Sequence, residues 1–176
     1  LNTALVQDGF FLFVPRHVKI EEPLQIVNLM HGSHDFMANR RLLVVLEEGA
    51  QVRLLSCDHT LDKGNFLTST VNEIFIGANA TFDYYDLEES TLNTHRVSST
   101  FIQQESASNV LVNGITLHNG YTRNNYYITL AGEHAETHLY GMAVADKRQL
   151  VDNFTFIAHK APSCTSDELF KYVLED

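Results

Sequence analysis

Small residues recur along the chain at a nearly constant spacing, and this repeat constrains the fold more than any other feature. The markers follow one another at intervals of roughly 28 residues: Gly49-Ala50, Gly77-Ala78, Glu105-Ser106 and Gly132-Glu133. An upstream segment, Pro15–Val18, fits the same place at a slightly longer interval. A fixed period of this length is typical of a solenoid, in which each structural unit stacks on the previous one. We therefore expect the three glycines, Gly49, Gly77 and Gly132, to stack at equivalent corners.

Each marker is followed by alternating apolar and polar residues, the pattern of a half-buried strand. A second alternating run lies near mid-period, as at Tyr126–Leu130 and Phe154–Ala158. Two strands and two turns per coil predict a parallel β-helix with coils of roughly 28 residues. The residues expected to point inward are Val52, Leu54, Ala80, Phe82, Val110, Val112, Ile128, Leu139, Phe154 and Phe156. Those expected to face outward are Arg53, Asp83, Asn113 and His138.

The composition supports a chain made mostly of strands. Val, Ile, Thr, Phe and Tyr, the residues suited to a pleated surface, make up 54 of the 176 residues. Only Leu1–Val6 and Ser166–Leu174 could form short helices, and Thr165–Glu168 has the sequence of a helix capping box. A β-sandwich is the alternative all-β fold, but it does not predict a constant period with the same type of corner residue. At this length we expect one domain over residues 1–176.

Charge and cysteine content exclude several classes of function. A net charge of −10 argues against nucleic acid or an anionic membrane as the main partner. No apolar run approaches the roughly 20 residues of a membrane span. Two cysteines, Cys57 and Cys164, do not make a disulfide framework, which predicts a reducing, cytoplasmic location.

Three segments of the sequence resemble the SufB/SufD family of iron–sulfur cluster assembly proteins. The first is Asp8–Val18 followed by Glu21–Leu24, and the second is Arg41–Ala50. The most specific is Gln149–Thr155, with a continuation that approaches the family pattern H-x-x-P-x-C-x-S and L-x-K through His159, Pro162, Cys164, Ser166, Leu169 and Lys171. The acidic, tyrosine-rich Phe82–Leu87 favours the SufD type of the two paralogues.

The resemblance implies a right-handed parallel β-helix that belongs to a longer protein. It implies that this chain lacks an N-terminal helical region and further C-terminal coils and helices. Such proteins are non-catalytic scaffold subunits that act with a SufB/SufD-type paralogue and a SufC-type ABC ATPase, and the iron–sulfur cluster belongs to the full complex. The resemblance also favours a strand over a helix at Ser166–Leu174, and we expect the strand. No nucleotide-binding motif is present, so ATP hydrolysis would belong to a partner. A carbohydrate-active β-helix enzyme and a structural solenoid are the alternative functions.

No catalytic, cofactor-binding or metal-binding residue is assigned, because the resemblance places the family's interface residues beyond the end of this chain. His31 and His34 have a chelating spacing, but a third ligand is not evident and a turn explains them. His31 and His59 are separated by one period of the repeat and could stack in adjacent coils. His134 and His138 would lie on one strand face with Cα atoms ~13 Å apart, too far to share an ion.

The acidic stretch Asp83, Asp86, Glu88 and Glu89 could supply paired carboxylates to a groove, as in polysaccharide-cleaving β-helices. That chemistry needs basic residues nearby, and none lies close in sequence, so we expect a solvated outer face. The Asn-rich pairs Asn113-Gly114, Asn119-Gly120 and Asn124-Asn125 suit left-handed corners. Cys57 and Cys164 are expected to be reduced and far apart. The chain is expected to associate with itself or a neighbour through an exposed last coil.

Overall fold

The computed structural model describes residues 2–62 and 64–175, and these form strands almost throughout. One short helix, α1 (Asn2–Leu5), precedes the strands. The strands are β1 (Asp8–Val14), β2 (Leu24–Met30), β3 (Phe36–Leu46), β4 (Gln51–Thr60), β5 (Phe66–Ile76), β6 (Thr81–Glu89), β7 (Thr94–Gln104), β8 (Asn109–His118), β9 (Tyr121–Leu130), β10 (Glu136–Asp146), β11 (Leu150–His159) and β12 (Thr165–Glu175). No helix among the described residues is long and apolar enough to cross a membrane.

The strands form two parallel six-stranded sheets, and every coil contributes one strand to each. The odd sheet has the order β1-β3-β5-β7-β9-β11, and the even sheet has the order β12-β10-β8-β6-β4-β2. This is a parallel β-solenoid of about six turns with about 29 residues per turn, which confirms the predicted fold class. The inner faces of the two sheets face each other, so alternate residues of every strand fill a shared interior.

One corner of the solenoid carries a left-handed residue in every coil. These residues have φ between 54° and 65°: His17, Gly49, Asn79, Ala107, His134 and Ser163. The backbone amides of the first five donate to carbonyls of the next coil, as from Gly49 to Ala78 at 2.8 Å and from Asn79 to Ser106 at 2.9 Å. The corner is therefore fixed by a ladder of backbone hydrogen bonds and not by a repeated glycine.

Gly49, Gly77 and Gly132 lie at the same corner of different coils, as predicted, but only Gly77 and Gly132 occupy equivalent positions in it. Gly77 and Gly132 each lie two residues before the left-handed residue of their coil, whereas Gly49 is itself left-handed. The amide of Gly77 donates to Leu46 at 2.8 Å, which aligns Gly77 with the start of the preceding corner. Gly49 is therefore equivalent to Asn79 and not to Gly77. The spacing of the glycines misses this offset of two residues, because the left-handed position tolerates several residue types.

Most of the predicted inward residues are confirmed. Eight of the ten are at most 3% exposed: Val52, Leu54, Ala80, Phe82, Val110, Val112, Ile128 and Leu139. The outward prediction also holds, since Arg53, Asp83, Asn113 and His138 are each exposed or half-buried.

Phe154 and Phe156 contradict the inward prediction, being 39% and 55% exposed. In β11, Thr155 pairs with Tyr126 and Ile157 with Ile128, so it is Thr155 and Ile157 that share the inward side. Both faces of β11 carry apolar residues, so hydrophobicity alone did not define which face points inward.

The two ends of the chain follow the predictions. Residues 2–5 of the proposed first helix are helical, and Leu1 lies outside the described residues. Thr165–Glu175 is a strand that pairs with β10 along its whole length, so ladder pairing overrides the capping signal.

Two of the three Asn-rich pairs do not lie at corners as predicted. Asn113-Gly114 and Asn124-Asn125 lie inside β8 and β9, and only Asn119-Gly120 is at a corner.

Gly120 is required at its corner for a steric reason. A Cβ atom added there would lie 2.3 Å from the carbonyl oxygen of Leu92 and 2.5 Å from that of Thr94. No side chain fits between these two backbone carbonyls, so the close approach of neighbouring coils depends on glycine.

Candidate functional site

The interior of the solenoid is apolar on one side and polar on the other. Beside the left-handed corners it is filled by Leu, Ile and Val side chains from both sheets. Toward the opposite corner, the ends of the even strands and the beginnings of the odd strands contribute buried polar side chains: Asp58, Asp86, Glu88, Thr116, Thr68, Arg96, Ser98, Thr122 and Asn124. Burial of so many polar groups has to be compensated by internal hydrogen bonds, which makes this half the most distinctive region of the molecule.

Arg96 is the centre of the polar half. It extends inward from β7 and is 4% exposed. Its Nε donates to Asp58 Oδ2 at 3.1 Å, and its Nη2 donates to both carboxylate oxygens of Asp86, at 2.8 and 2.7 Å. Its Nη1 donates to Asn124 Oδ1 at 2.7 Å. One guanidinium thus joins β4, β6, β7 and β9, which belong to successive coils of the solenoid.

A second guanidinium completes the pairing of Asp58. Arg40 Nη2 donates to the two Asp58 oxygens at 2.9 and 3.0 Å, and Asn28 Nδ2 donates to Asp58 Oδ1 at 2.9 Å. Burial by itself would raise the pKa of Asp58, but Arg96 and Arg40 outweigh burial and hold this pKa below its ordinary value. Asp58 is therefore ionised in the folded protein at neutral pH.

Glu88 is the least compensated acid of the group. It is fully buried, and its carboxylate accepts hydrogen bonds from Ser90 Oγ at 2.9 Å and Thr122 Oγ1 at 2.8 Å. Arg96 is 4.0 Å away. Burial raises the pKa of Glu88, and the attraction of Arg96 and the two hydroxyl donors offsets this only in part. We call Arg40, Asp58, Asp86, Glu88 and Arg96 the Arg96 cluster; it sets three carboxyl groups against two guanidinium groups.

Two tyrosines close the cluster on its apolar side. Tyr84 and Tyr126 are almost completely buried, and burial together with the nearby charge of Asp86 raises the pKa of both phenols. Room for the Tyr126 hydroxyl depends on Gly114, where an added Cβ would lie 2.4 Å from the oxygen. Both phenols stay protonated at neutral pH, so neither adds a charge to the cluster.

The position of Asp86 and Glu88 corrects the prediction of a solvated acidic face. Both point inward with Phe82 and Tyr84, and their basic partner Arg96 arrives from the opposite sheet. Only Asp83 and Glu89 of the stretch face outward. The signal was available in the sequence, because strict alternation from Phe82 places Asp86 and Glu88 on the buried side of β6.

The arrangement of the Arg96 cluster is suited to holding coils together and not to catalysis. Each hydrogen-bonding nitrogen of Arg96 is directed at a partner inside the protein, and Asp58 and Asp86 are almost completely buried. A substrate would have to enter the solenoid interior to reach these groups. Because Arg96 binds side chains of three other strands, a shift of any one of these strands along its neighbour would leave a buried polar group unpaired.

His31 and His34 lie exposed in the connection between β2 and β3, as expected for a turn. His31 contacts Asp62 at 2.6 Å, and His34 contacts Ser33. His59 aligns with Leu29 and pairs with Glu89 at 3.3 Å, so the predicted stacking of His31 on His59 is wrong.

The prediction that His134 and His138 lie on one strand face is also wrong. His134 occupies a left-handed corner and only His138 lies in a strand, so the two do not share one strand face. His138 instead bonds its neighbour Glu136 at 2.9 Å.

The cysteines are separate and unbridged. Both are free thiols; Cys57 is buried in β4, and Cys164 precedes β12 with its Sγ 3.2 Å from the carbonyl oxygen of Gly132. Across residues 2–62 and 64–175, no three His, Cys, Asp or Glu side chains converge in a way that could hold a metal ion.

Comparison with known families gives matches over almost the entire chain. Residues 28–176 match the family described as SUF system FeS cluster assembly, SufBD core domain. Residues 1–26 match the family described as SufBD protein N-terminal region. The first match covers β3 to β12 and the end of β2, and the second covers α1, β1 and the start of β2.

Individual relatives agree with the family match. An iron-sulfur cluster assembly SufBD family protein of Synechocystis is 23% identical over all of this chain and 41% of its own length. Proteins of the same description from Staphylococcus saprophyticus and Staphylococcus epidermidis are each 28% identical, over 100% and 98% of this chain and 38% and 37% of their own lengths. The chain thus spans about two fifths of the length of these relatives.

Proposed function

Because the chain belongs to the SufBD family of iron–sulfur cluster assembly proteins, we propose that it is the core of a non-catalytic scaffold subunit. The subunit would act in the cytoplasm with a SufB/SufD-type paralogue and a SufC-type ABC ATPase, and the cluster would be the cargo of the assembled complex. The observation that carries the proposal is the family match over residues 28–176, which includes the solenoid strands β3 to β12.

The geometry of the interior supports a scaffold over an enzyme. The acidic residues that could serve a carbohydrate-active β-helix are divided between the interior and the surface, and Asp86 and Glu88 are bound by Arg96, Ser90 and Thr122. A polysaccharide chain lying on the outside of a strand cannot reach carboxylates on its inside. The enzymatic alternative therefore has no observation in its favour.

Within the family, we propose the SufD type. Two segments support this choice: the acidic, tyrosine-rich Phe82–Leu87 and the Val-Asp-Asn sequence within Gln149–Thr155. Half of the acidic segment lines the interior and carries Asp86, so its composition is tied to the Arg96 cluster. A paralogue of the other type would be expected to differ at this cluster.

The test is purification of the full-length protein together with the products of its neighbouring genes. We expect an ABC-type ATPase and a second SufBD-type protein to co-purify in fixed stoichiometry. Expression of the protein without the ATPase gene is the control, and the preparation should then show no ATP hydrolysis, because the chain has no nucleotide-binding motif. ATPase activity in that control, or a pure single-protein product in the first experiment, would contradict the proposal.

A further inference from the structure

The outward side of the odd sheet carries a contiguous apolar surface. We call it the aromatic face; it consists of Phe11, Phe13, Leu43, Val45, Phe75, Phe101, Tyr127, Phe154 and Phe156. The pairing of neighbouring strands places Phe11 beside Leu43, Phe101 beside Tyr127, and Tyr127 beside Phe156. Its central row is interrupted by Glu73, which is bound to Arg41 at 2.8 Å. Phe75 lies diagonally beside Phe101 next to this interruption, so the face extends from β1 to β11.

Six of these nine side chains, all of them phenylalanines, are exposed, and the other three are half-buried. Phe11 is 61% exposed and Phe101 is 44% exposed. The rings of Phe101 and Tyr127 stack on each other with centroids 4.9 Å apart, lying against the sheet and against one another. The outward face of the even sheet also carries exposed apolar side chains, such as Met142 and Val144, but no exposed phenylalanine among the described residues. The exposed phenylalanines therefore belong to the odd sheet, and an extended exposed apolar patch of this kind is typical of an interaction site.

We propose that the aromatic face is a docking surface for a basic amphipathic α-helix of a partner protein, lying along the solenoid axis. Six strands spaced by about 4.8 Å give a face about 24 Å long. A helix of about 16 residues has this length, and its pitch of about 5.4 Å places roughly one apolar contact on each strand. The sheet presents side chains here and no free backbone edge, so a helix fits this surface and an added strand does not.

The charges beside the aromatic face favour a basic partner helix. The corners beside the row that contains Phe13 and Phe75 expose the carboxylates of Glu48, Glu105 and Glu133, with Arg16 and Lys160 at the two extremes. Lys or Arg residues on one flank of the helix would lie beside these carboxylates. A second copy of this chain is disfavoured as the occupant, because each copy has a net charge of −10.

The odd sheet already accepts a helix on this side. α1 lies against the outward surface of β3 and β5, where Asn2 Nδ2 donates to the Ser69 carbonyl at 2.9 Å and Arg41 Nη2 donates to Thr3 Oγ1 at 2.9 Å. These contacts adjoin the aromatic face at Arg41, the residue that pairs with Glu73. The proposed helix would extend a helix–sheet interface that α1 begins.

Synthetic peptides test the chemistry of the surface directly. The probe is a peptide of about 16 residues with Leu at every third or fourth position and Lys along one flank; the controls are the same peptide with Glu in place of Lys and a scrambled peptide of identical composition. By fluorescence anisotropy with the full-length protein, we expect the Lys-flanked peptide to bind about tenfold more tightly than either control. Phe101→Ser should weaken this binding about tenfold, whereas Tyr85→Ser on the even sheet should not. Equal binding of the scrambled peptide, or equal effects of the two substitutions, would overturn the proposal.

Photo-crosslinking identifies the source of the helix. A benzoylphenylalanine at position 101 of the full-length protein in its own host should crosslink to a second polypeptide, at a peptide whose apolar residues recur every three or four positions beside Lys or Arg. The same group at position 85 is the matched control. A crosslink to another copy, to a segment of the same chain, or to no protein would overturn the proposal. Neither experiment depends on the cluster cargo or on the ATPase.

Discussion

At the scale of single residues, the stability of the chain depends most on the Arg96 cluster. The buried guanidinium of Arg96 donates hydrogen bonds to Asp58, Asp86 and Asn124. Removal of a buried ion leaves its partners charged and unpaired, which costs more than the pair contributed. The solenoid is therefore most vulnerable at a residue that no catalytic or binding motif in the sequence points to.

We expect Arg96→Met to destabilise the protein by about 3–5 kcal/mol, because Asp86 loses the guanidinium that binds both its oxygens and Asp58 keeps only Arg40. Urea denaturation at neutral pH measures the effect. Arg123→Met is the matched control, since its pair with Asp152 is partly exposed and worth at most about 1 kcal/mol. If Arg96→Met does not fold, Arg96→Met with Asp86→Asn should recover part of the loss. Equal effects of the two single substitutions would contradict the assigned role.

The pH dependence of stability should reveal Glu88. Its pKa is raised in the folded protein, so the folded state holds this proton more tightly than the unfolded state. The stability that this group contributes is present below its ordinary pKa and is lost as the pH rises through the raised folded value. Asp58 has a lowered pKa, so its contribution has the opposite sign and is lost only when the pH falls below its ordinary value.

We therefore expect Glu88→Gln to be at least as stable as the natural protein at pH 7 to 8, and to lose this advantage near pH 4. Gln cannot ionise, yet it retains hydrogen-bonding groups toward Ser90 and Thr122. Thermal melting across this pH range is the measurement, and Glu89→Gln, an exposed neighbour, should show no such trend. An advantage that increases toward low pH would refute the assignment.

At the scale of elements, strand pairing and corner geometry dominate local preference. Every coil turns through a left-handed residue at the same corner, but only Gly49 and Asn79 are residue types that favour this conformation. Ladder hydrogen bonds between coils compensate for the backbone cost at the others. Thr165–Glu175 illustrates the same dominance, since its capping signal yields to pairing with β10 along the whole strand.

Ala107→Gly should stabilise the solenoid by up to about 1 kcal/mol, since Ala107 is exposed and left-handed with φ 54°. The gain is limited because glycine also loses more entropy on folding. Ala131→Gly at the equivalent corner of the next coil is the control; its φ is not positive, and it should lose about 0.5–1 kcal/mol. Chemical denaturation of both variants provides the comparison, and stabilisation of both or of neither would show that backbone strain is not the cause.

At the scale of the whole molecule, the outermost strand of residues 1–176 is unpaired on one side. β12 pairs with β10 on one side, and its side chains remain exposed, with Leu174 at 73%. An unpaired strand with an apolar side is a template for association. We expect chains limited to residues 1–176 to self-associate at high micromolar concentration, as measured by light scattering. A monomer under these conditions would contradict this expectation.

The same fragment should not assemble a cluster alone. Cys57 and Cys164 fall nearly four coils apart, on the order of 18 Å along the axis. Thiolates have to converge to within bonding distance of one metal, about 2.3 Å each. Anaerobic reconstitution with iron and sulfide should therefore leave the fragment colourless. A stoichiometric brown product that is lost in Cys164→Ser would overturn this arrangement.

The architecture of this protein follows from its sequence. The constant period, the β-branched composition and the alternation after each marker specified a stacked parallel solenoid, because a fixed period admits only one kind of unit. The inward register was evident wherever one strand face was clearly apolar, as from Val52 to Leu54 and from Val110 to Val112. It failed at Phe154 and Phe156, where both faces are apolar.

The interior chemistry, in contrast, depends on how the two sheets pack. Asp58, Asp86 and Arg96 come from strands of two opposing sheets, and their separation in sequence does not indicate that one guanidinium contacts both acids. Alternation from Phe82 places Asp86 and Glu88 on the inward side of β6, but only the packing of the sheets shows which basic residue binds them. Packing of the coils also selects which residue of each corner is left-handed, because backbone hydrogen bonds to the next coil define that position and allow alanine, histidine, asparagine and serine to occupy it.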